Sequence, residues 1–307
     1  MAPSFLVLKT SPMTRGLLFC AAVVLFVSPS QSLACASCGS GSDDPLVLWP
    51  NERLKTYLAI ASSQNLRPVD ERGRVGESSG PKSLDMLIFA IGKAVREDLF
   101  FTFTLPVIQN RTDDGSLRSL GDLVTGARWT WLQSDFTRPL VPQIQLMGSH
   151  SFPIARAQQE SSRLDLLDVF GSAVPETKIG VDTFWGQSSL KGGFAVAGLF
   201  SSERTLGSSS VFPGNGIRST VTLGYSLGGL SKWLIGGVQE LREERRDDGR
   251  RVPESNVAAY SFFTTFDWSL LESHMLRLSV TDKGRLLANR NTVAATSVSL
   301  AWMSTLD

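Results

Sequence analysis

The chain is poor in the residues that build metal and nucleophilic centres: two histidines and three cysteines among 307 residues. That leaves little room for a His-rich metal cluster, and no cofactor is implied. It also lacks an excess of charge of either sign, with 30 Lys+Arg against 29 Asp+Glu and a formal net charge of +1. Binding nucleic acid through a basic face needs such an excess, so no nucleic-acid partner is expected. After residue 34 no stretch keeps helical periodicity over three turns with a polar opposite face. The 27 glycines, with Ser and Thr frequent throughout, argue further against a helix bundle. At 42% apolar residues the chain is nevertheless too hydrophobic to stay disordered.

What is present begins with a targeting pattern. Lys9 and Arg15 precede an apolar run of 11 residues, Leu17–Val27, followed by Pro29 and the small residues Ser32 and Ala34. This is the layout of a secretory signal peptide, and the run is too short for a membrane-spanning helix. Cleavage before Cys35 makes residues 1–34 the signal peptide, removes two cations and no acid, and takes the formal charge from +1 to about −1. Residues 35–52 then form a periplasmic N-terminal segment, and 53–307 the main domain.

In that domain the recurrent pattern is alternation, the period of a strand. Ala258, Tyr260, Phe262, Phe266, Trp268 and Leu270 fall on one parity; Ala259, Ser261, Thr265, Asp267 and Ser269 fall on the other. The spacing predicts twelve strands, at 53–62, 83–94, 98–109, 122–133, 139–152, 178–186, 190–201, 216–227, 231–242, 257–270, 274–283 and 293–304. Alternation alone fits a soluble sandwich as well as a membrane barrel. The connections separate the two. A long polar gap at 63–82 is followed by the tight turn Val95–Glu97, and long and short gaps then alternate to the end of the chain. Long loops at one rim and short turns at the other are the mark of a transmembrane antiparallel up-and-down β-barrel, here of about 12 strands. Such a sheet must close, because lipid cannot satisfy unpaired backbone groups.

The expected location is the outer membrane, with both barrel termini on the periplasmic, short-turn side. The expected partners are membrane lipid, lipopolysaccharide and the barrel assembly machinery. Trp129, Trp131, Trp185, Tyr225, Trp268 and Trp302 lie near strand ends, where an aromatic girdle belongs. Asp85, Lys93, Arg128, Gln143, Gln145, Asp182, Arg218, Asp267 and Arg277 read as lumen-facing. The charged members would cost about 2–4 kcal/mol on the lipid face at mid-membrane. They would either pair across the lumen or line a solute path.

One ordered set of residues carries a family resemblance. It comprises Gly121-Asp122-Leu123, Ala127-Arg128-Trp129-Thr130-Trp131-Leu132, Pro142, Ile144–Ser151 and Phe152-Pro153. The set resembles the outer-membrane proteins grouped under the meta-pathway of phenol degradation, which are regarded as transporters. Where those have a Leu-Pro-Thr-Gly-like turn this chain reads Ser151-Phe152-Pro153-Ile154, without the Thr-Gly. The resemblance covers residues 83–200. It implies a barrel channel for small solutes, hydrophobic or aromatic ones among them, and it brings no catalytic residues.

Two further constellations carry chemistry. Cys35 and Cys38 form a CxxC in an exported chain: a disulfide, a redox or soft-metal pair, or a lipidated Cys35. No His follows Cys38, so haem attachment is not supported. His150 lies between Ser149 and Ser151, with Asp165 and Asp168 in the next loop, which raises a barrel lipase as a minor alternative. The spacing does not match the His-x-Ser-Asn-Gly stretch of outer-membrane phospholipase, so no enzyme is expected. His274, beside a tight turn, reads as solvated. The charge-rich stretch Glu240–Arg251 reads as a solvated outer loop. The main alternative to a channel is a structural or adhesive surface barrel that passes nothing.

Overall fold

A strand that is apolar on every second residue can rest in lipid only if both of its backbone edges are paired, and twelve strands here meet that condition by closing on one another. The computed structural model describes residues 46, 52–77, 81–133, 141–163, 165–172, 174–187, 189–206, 209–227, 231–271, 273–284 and 289–306. The signal peptide and the Cys35/Cys38 pair lie outside them.

The strands are β1 Leu54–Val69, β2 Ser83–Arg96, β3 Leu99–Arg111, β4 Leu123–Leu132, β5 Gln143–Phe152 and β6 Glu176–Gln187. They continue as β7 Leu190–Ser201, β8 Gly216–Ser226, β9 Ser231–Arg242, β10 Val257–Leu271, β11 His274–Lys283 and β12 Thr292–Leu306. Each pairs antiparallel with its neighbours in sequence, and β12 returns to β1 from Leu54↔Leu306 to Val69↔Thr292. The fold is therefore a closed twelve-stranded antiparallel barrel.

Most boundaries agree with the alternation to within a few residues. The largest difference is β1, which runs on to Val69 through a bulge between Gln64 and Arg67, with Asn65 at φ 56°. Asn tolerates that left-handed conformation better than most residues. Apolar alternation stops near Ser62, because backbone pairing with β12 continues above the lipid, where no apolar face is needed. The long loops add short strands of their own. Ser116–Leu120 pairs with the end of β3, and Arg204–Leu206, Ser209–Phe212, Arg246–Asp247 and Arg250–Arg251 form a small second sheet.

Register fixes the two faces. Leu58↔Phe89 and Leu58↔Trp302 point outward, where these side chains are exposed, whereas Tyr57↔Ala90 and Tyr57↔Met303 point inward and are buried. Two residues expected in the lumen fall on the outer face instead. Asp85 pairs with Ser62, and Lys93 with Leu54, both on the outward parity of β1. The lipid-face penalty is steep only at mid-membrane and falls to about 0–1 kcal/mol at the interfaces. Asp85 and Lys93 bracket Leu87, Phe89 and Ile91. The bracket spans roughly 26 Å along the strand, or roughly 20 Å of depth at a ~40° tilt. They mark the edges of the apolar band. Asp85 is also neutralised, by Arg111 at 2.7 Å and the Ser62 hydroxyl at 2.7 Å.

The segment before β1 does not simply hang outside the wall. Leu46 is 0% exposed and packs among Tyr57, Ala59, Ala90, Ala301 and Met303, all on the lumen side. Glu52 is buried as well and accepts a hydrogen bond from Lys55 Nζ at 2.9 Å.

Candidate functional site: the barrel lumen

The lumen changes character along its axis. Its short-turn half is crossed by a belt of buried polar side chains. Arg128 on β4, 2% exposed, reaches past β5 and donates to Asp182 Oδ2 on β6 at 2.7 Å, with Gln145 Oε1 at 3.5 Å between them. Gln145 Nε2 donates to Thr130 at 3.1 Å. On the other side, Arg277 Nε and Nη2 donate to the two oxygens of Asp267 at 2.7 and 2.8 Å. Lys232, also buried, stands opposite Asp267 in register. A charge buried this way is tolerable only when paired. Gln143 departs from the belt: it is 1% exposed, and neither of its side-chain polar atoms has a hydrogen-bond partner among the described residues.

The long-loop half is open. A chamber of about 290 Å³ lies against the inner faces of β3 to β8, between Thr104, Val124, Met147, Lys178, Ala197 and Thr220. A wider vestibule of about 630 Å³ opens above it and shares Ser151 and Glu176 with the chamber. At this junction Arg242 holds Glu176 at 2.5 Å and Glu240 at 2.6 Å, while Arg218 reaches Glu240 at 3.3 Å. Glu240 and Arg242, expected in a solvated loop, therefore sit in the mouth of the lumen, because β9 continues to Arg242 with both on the inward parity.

The β5–β6 loop is pinned over one side of the mouth. Asn110, inward on β3, donates through Nδ2 to the carbonyls of Val169 at 2.6 Å and Leu167 at 3.2 Å. Asp122 accepts from the backbone of Ala155 at 3.2 Å and from the Ser172 backbone and hydroxyl at 2.5 and 2.7 Å. Gly171 must be glycine for this contact, since a Cβ there would overlap the Asp122 carboxylate. Within the loop, Asp168 accepts from Ser161, Ser162 and Arg156. The Ser161 hydroxyl first, and then Arg156, hold its carboxyl well below the ordinary carboxylate range against the opposing effect of burial.

The outer face carries its large aromatics asymmetrically. Trp129, Trp131, Trp185, Tyr225, Trp268 and Trp302 point outward near the short-turn rim, and Trp233, not expected there, joins them. Trp185 lies over Gly192, where any side chain would meet its ring. Trp129 Nε1 donates to Asp98 at 2.9 Å in the β2–β3 turn. That bond, with Arg96 nearby, lowers the Asp98 pKa. His274 is stacked on Trp302 at 5.4 Å rather than simply solvated.

The hydrolase constellation fails on geometry. His150 points outward, edge-on to Phe152, with Nδ1 2.9 Å from Thr177 Oγ1, whereas Ser149 and Ser151 point into the lumen. Histidine and serines are on opposite sides of the wall.

Arg128, Gln143, Gln145, Asp182, Arg218, Asp267 and Arg277 all lie on the inward parity. The belt brings Arg128 to Asp182 and Arg277 to Asp267, and Arg218 belongs to the mouth. Parity could also have found Lys55, Lys178, Lys232, Glu240 and Arg242, which share the inward face of strands already predicted. Leu46 and the Asn110 and Asp122 contacts had no local signal.

No protein-family model matches the sequence, and no curated relative does. Solved structures do resemble it. An outer membrane channel of Pseudomonas putida F1 aligns with a TM-score of 0.66 at 11% identity, covering 91% of this chain and 100% of the channel. The NanC porin aligns with a TM-score of 0.49 at 7% identity, covering 81% of this chain and 100% of the porin. The CymD monoaromatic hydrocarbon channel aligns with a TM-score of 0.45 at 8% identity, covering 83% of this chain and 89% of that channel.

Proposed function

We propose that this protein is an outer-membrane channel that admits small solutes, hydrophobic or aromatic ones among them, through the long-loop mouth. The observation that carries this reading is the continuous vestibule and chamber inside a closed barrel whose outer face is apolar. A barrel built only to display loops has no need of a chamber below its mouth. The resemblance in sequence to the phenol meta-pathway proteins, and the shared fold with an outer membrane channel, point the same way.

In this reading the long loops face outward from the cell, and the short-turn rim, with the chain termini, faces the periplasm. The Arg128–Asp182 belt is the barrier a solute must pass. No catalytic role is assigned: Ser149 and Ser151 lie on the opposite side of the wall from His150. The test is conductance of the refolded barrel in planar bilayers, together with swelling of liposomes in phenol-containing medium. Discrete current steps and phenol uptake above protein-free liposomes are expected. Silent bilayers and unswollen liposomes, with the barrel shown inserted by its heat-modifiable gel shift, would leave the non-transporting surface barrel in its place.

A further inference from the structure

Among the described residues, one cation of the chamber lining, Lys178, takes part in no ion pair. Lys178 points inward from β6, between Ser149 on β5 and Leu199 on β7 in register. Glu176, which lines the chamber, is already engaged by Arg242, and Glu240 beside it by Arg242 and Arg218. Among the described residues Lys178 has no hydrogen-bond or ion-pair partner. The chamber itself is thus lined by two cations, Lys178 and Arg218, and one carboxylate, Glu176.

The surroundings of Lys178 are not those of an ordinary solvated lysine. It is half-buried in a chamber lined by Val124, Met147, Ala195 and Ala197, with Ser149 and Ser151 among the lining residues. An apolar cavity with one uncompensated charge and a few hydroxyls is the composition of a site that orients an amphipathic ligand. An anion reaching the ammonium there is attracted through less water than at the surface, and the interaction is correspondingly stronger.

We propose that the chamber is a binding site for small monocarboxylates with an apolar body, the carboxylate seated on Lys178 and the body against Val124, Met147, Ala195 and Ala197. The proposal deepens the channel reading and rests on it for the route by which the ligand arrives.

Binding is measured by equilibrium dialysis of the full-length folded barrel in detergent, with benzoate, benzamide and acetate as probes. Benzoate should bind saturably, and benzamide, with the same ring and no charge, roughly tenfold more weakly or worse. Acetate, which keeps the charge and loses the ring, should also bind more weakly. Lys178→Met should cost benzoate roughly tenfold and leave benzamide unchanged, while Lys178→Arg retains most of the preference. The gel shift on heating reports that each variant is folded. Equal binding of benzoate and benzamide, or undiminished benzoate binding in folded Lys178→Met, would overturn the site; acetate binding as tightly as benzoate would overturn its apolar part. Because dialysis in detergent does not depend on conduction, a barrel that binds benzoate but passes no current keeps the site and loses the channel. A barrel that conducts without the preference does the reverse.

Discussion

On the single strand β6, Asp182 is buried against Arg128, whereas Lys178, four residues nearer the long loops, faces open space with no partner among the described residues. That contrast holds around the barrel. The short-turn half of the lumen is filled by paired charges, by Phe184 and Phe100, and by Leu46 from the segment before β1. The long-loop half is lined largely by small residues and hydroxyls and keeps two cavities. Both halves are built by the same strands in the same register, so the difference lies in the side chains they present and in the Leu46 segment that enters one half. Long side chains that can pair close a barrel of this width, while alanine, glycine, serine and threonine leave it open. Closure in one half should therefore be sensitive to loss of a partner, and openness in the other to loss of the loop anchors.

The largest effect is expected at the belt. Asp182→Ala strands the buried Arg128 guanidinium and should cost about 3–5 kcal/mol of stability. The midpoint of the heat-modifiability transition reads this directly, and an unchanged midpoint would mean that the belt does not close the lumen. The same variant should raise bilayer conductance, whereas Ser151→Ala in the open half should change neither.

Asp122→Ala removes three hydrogen bonds that tie the β5–β6 loop to the rim. About 1–3 kcal/mol of local anchoring should be lost. Limited proteolysis within residues 153–175 should speed up while the heat-modifiability midpoint stays put. Slow cleavage in both proteins would show that the remaining contacts, those of Asn110 and Arg204, suffice to pin the loop.

A smaller change of opposite sign is expected at Gln143, whose buried carboxamide is unpartnered. Gln143→Met keeps the volume, drops the unsatisfied groups and should raise stability by about 1 kcal/mol. A loss of stability instead would place an ordered water on that side chain.

The smallest effect concerns pH. The folded-state pKa of Asp168 lies below its ordinary value, so the stability it lends the loop is fully present above the unfolded value of about 3.9. It is lost only as pH falls through the folded value. Proteolysis of the loop should thus be flat from neutral pH down to about 4, with loosening confined to stronger acid. An onset near pH 6 would assign the loop's anchoring to another group.

Much of this architecture was legible because a barrel writes its two faces on alternate residues. The parity that marked Arg128, Asp182, Asp267 and Arg277 as inward is the parity the register shows. Where it misled, at Asp85 and Lys93, the error came from treating every charge as if it were at mid-membrane. Both sit at the band's edges, and nothing in a strand's own sequence states its depth. Glu240 and Arg242 were assigned to a loop because a charge-dense run continues past the end of β9, hiding where the wall stops.

The amino-acid sequence by itself determined the strand number, the closed antiparallel sheet and the side of the wall on which most residues lie, because these follow from local alternation and loop length. Only the tertiary structure decided which charges meet, that Leu46 lies inside the lumen, that Asp122 and Asn110 hold the mouth loop, and that Lys178 has no partner among the described residues. Those outcomes depend on distances between strands and loops far apart in the chain, set by the stagger and diameter of the closed barrel, and no local pattern encodes them.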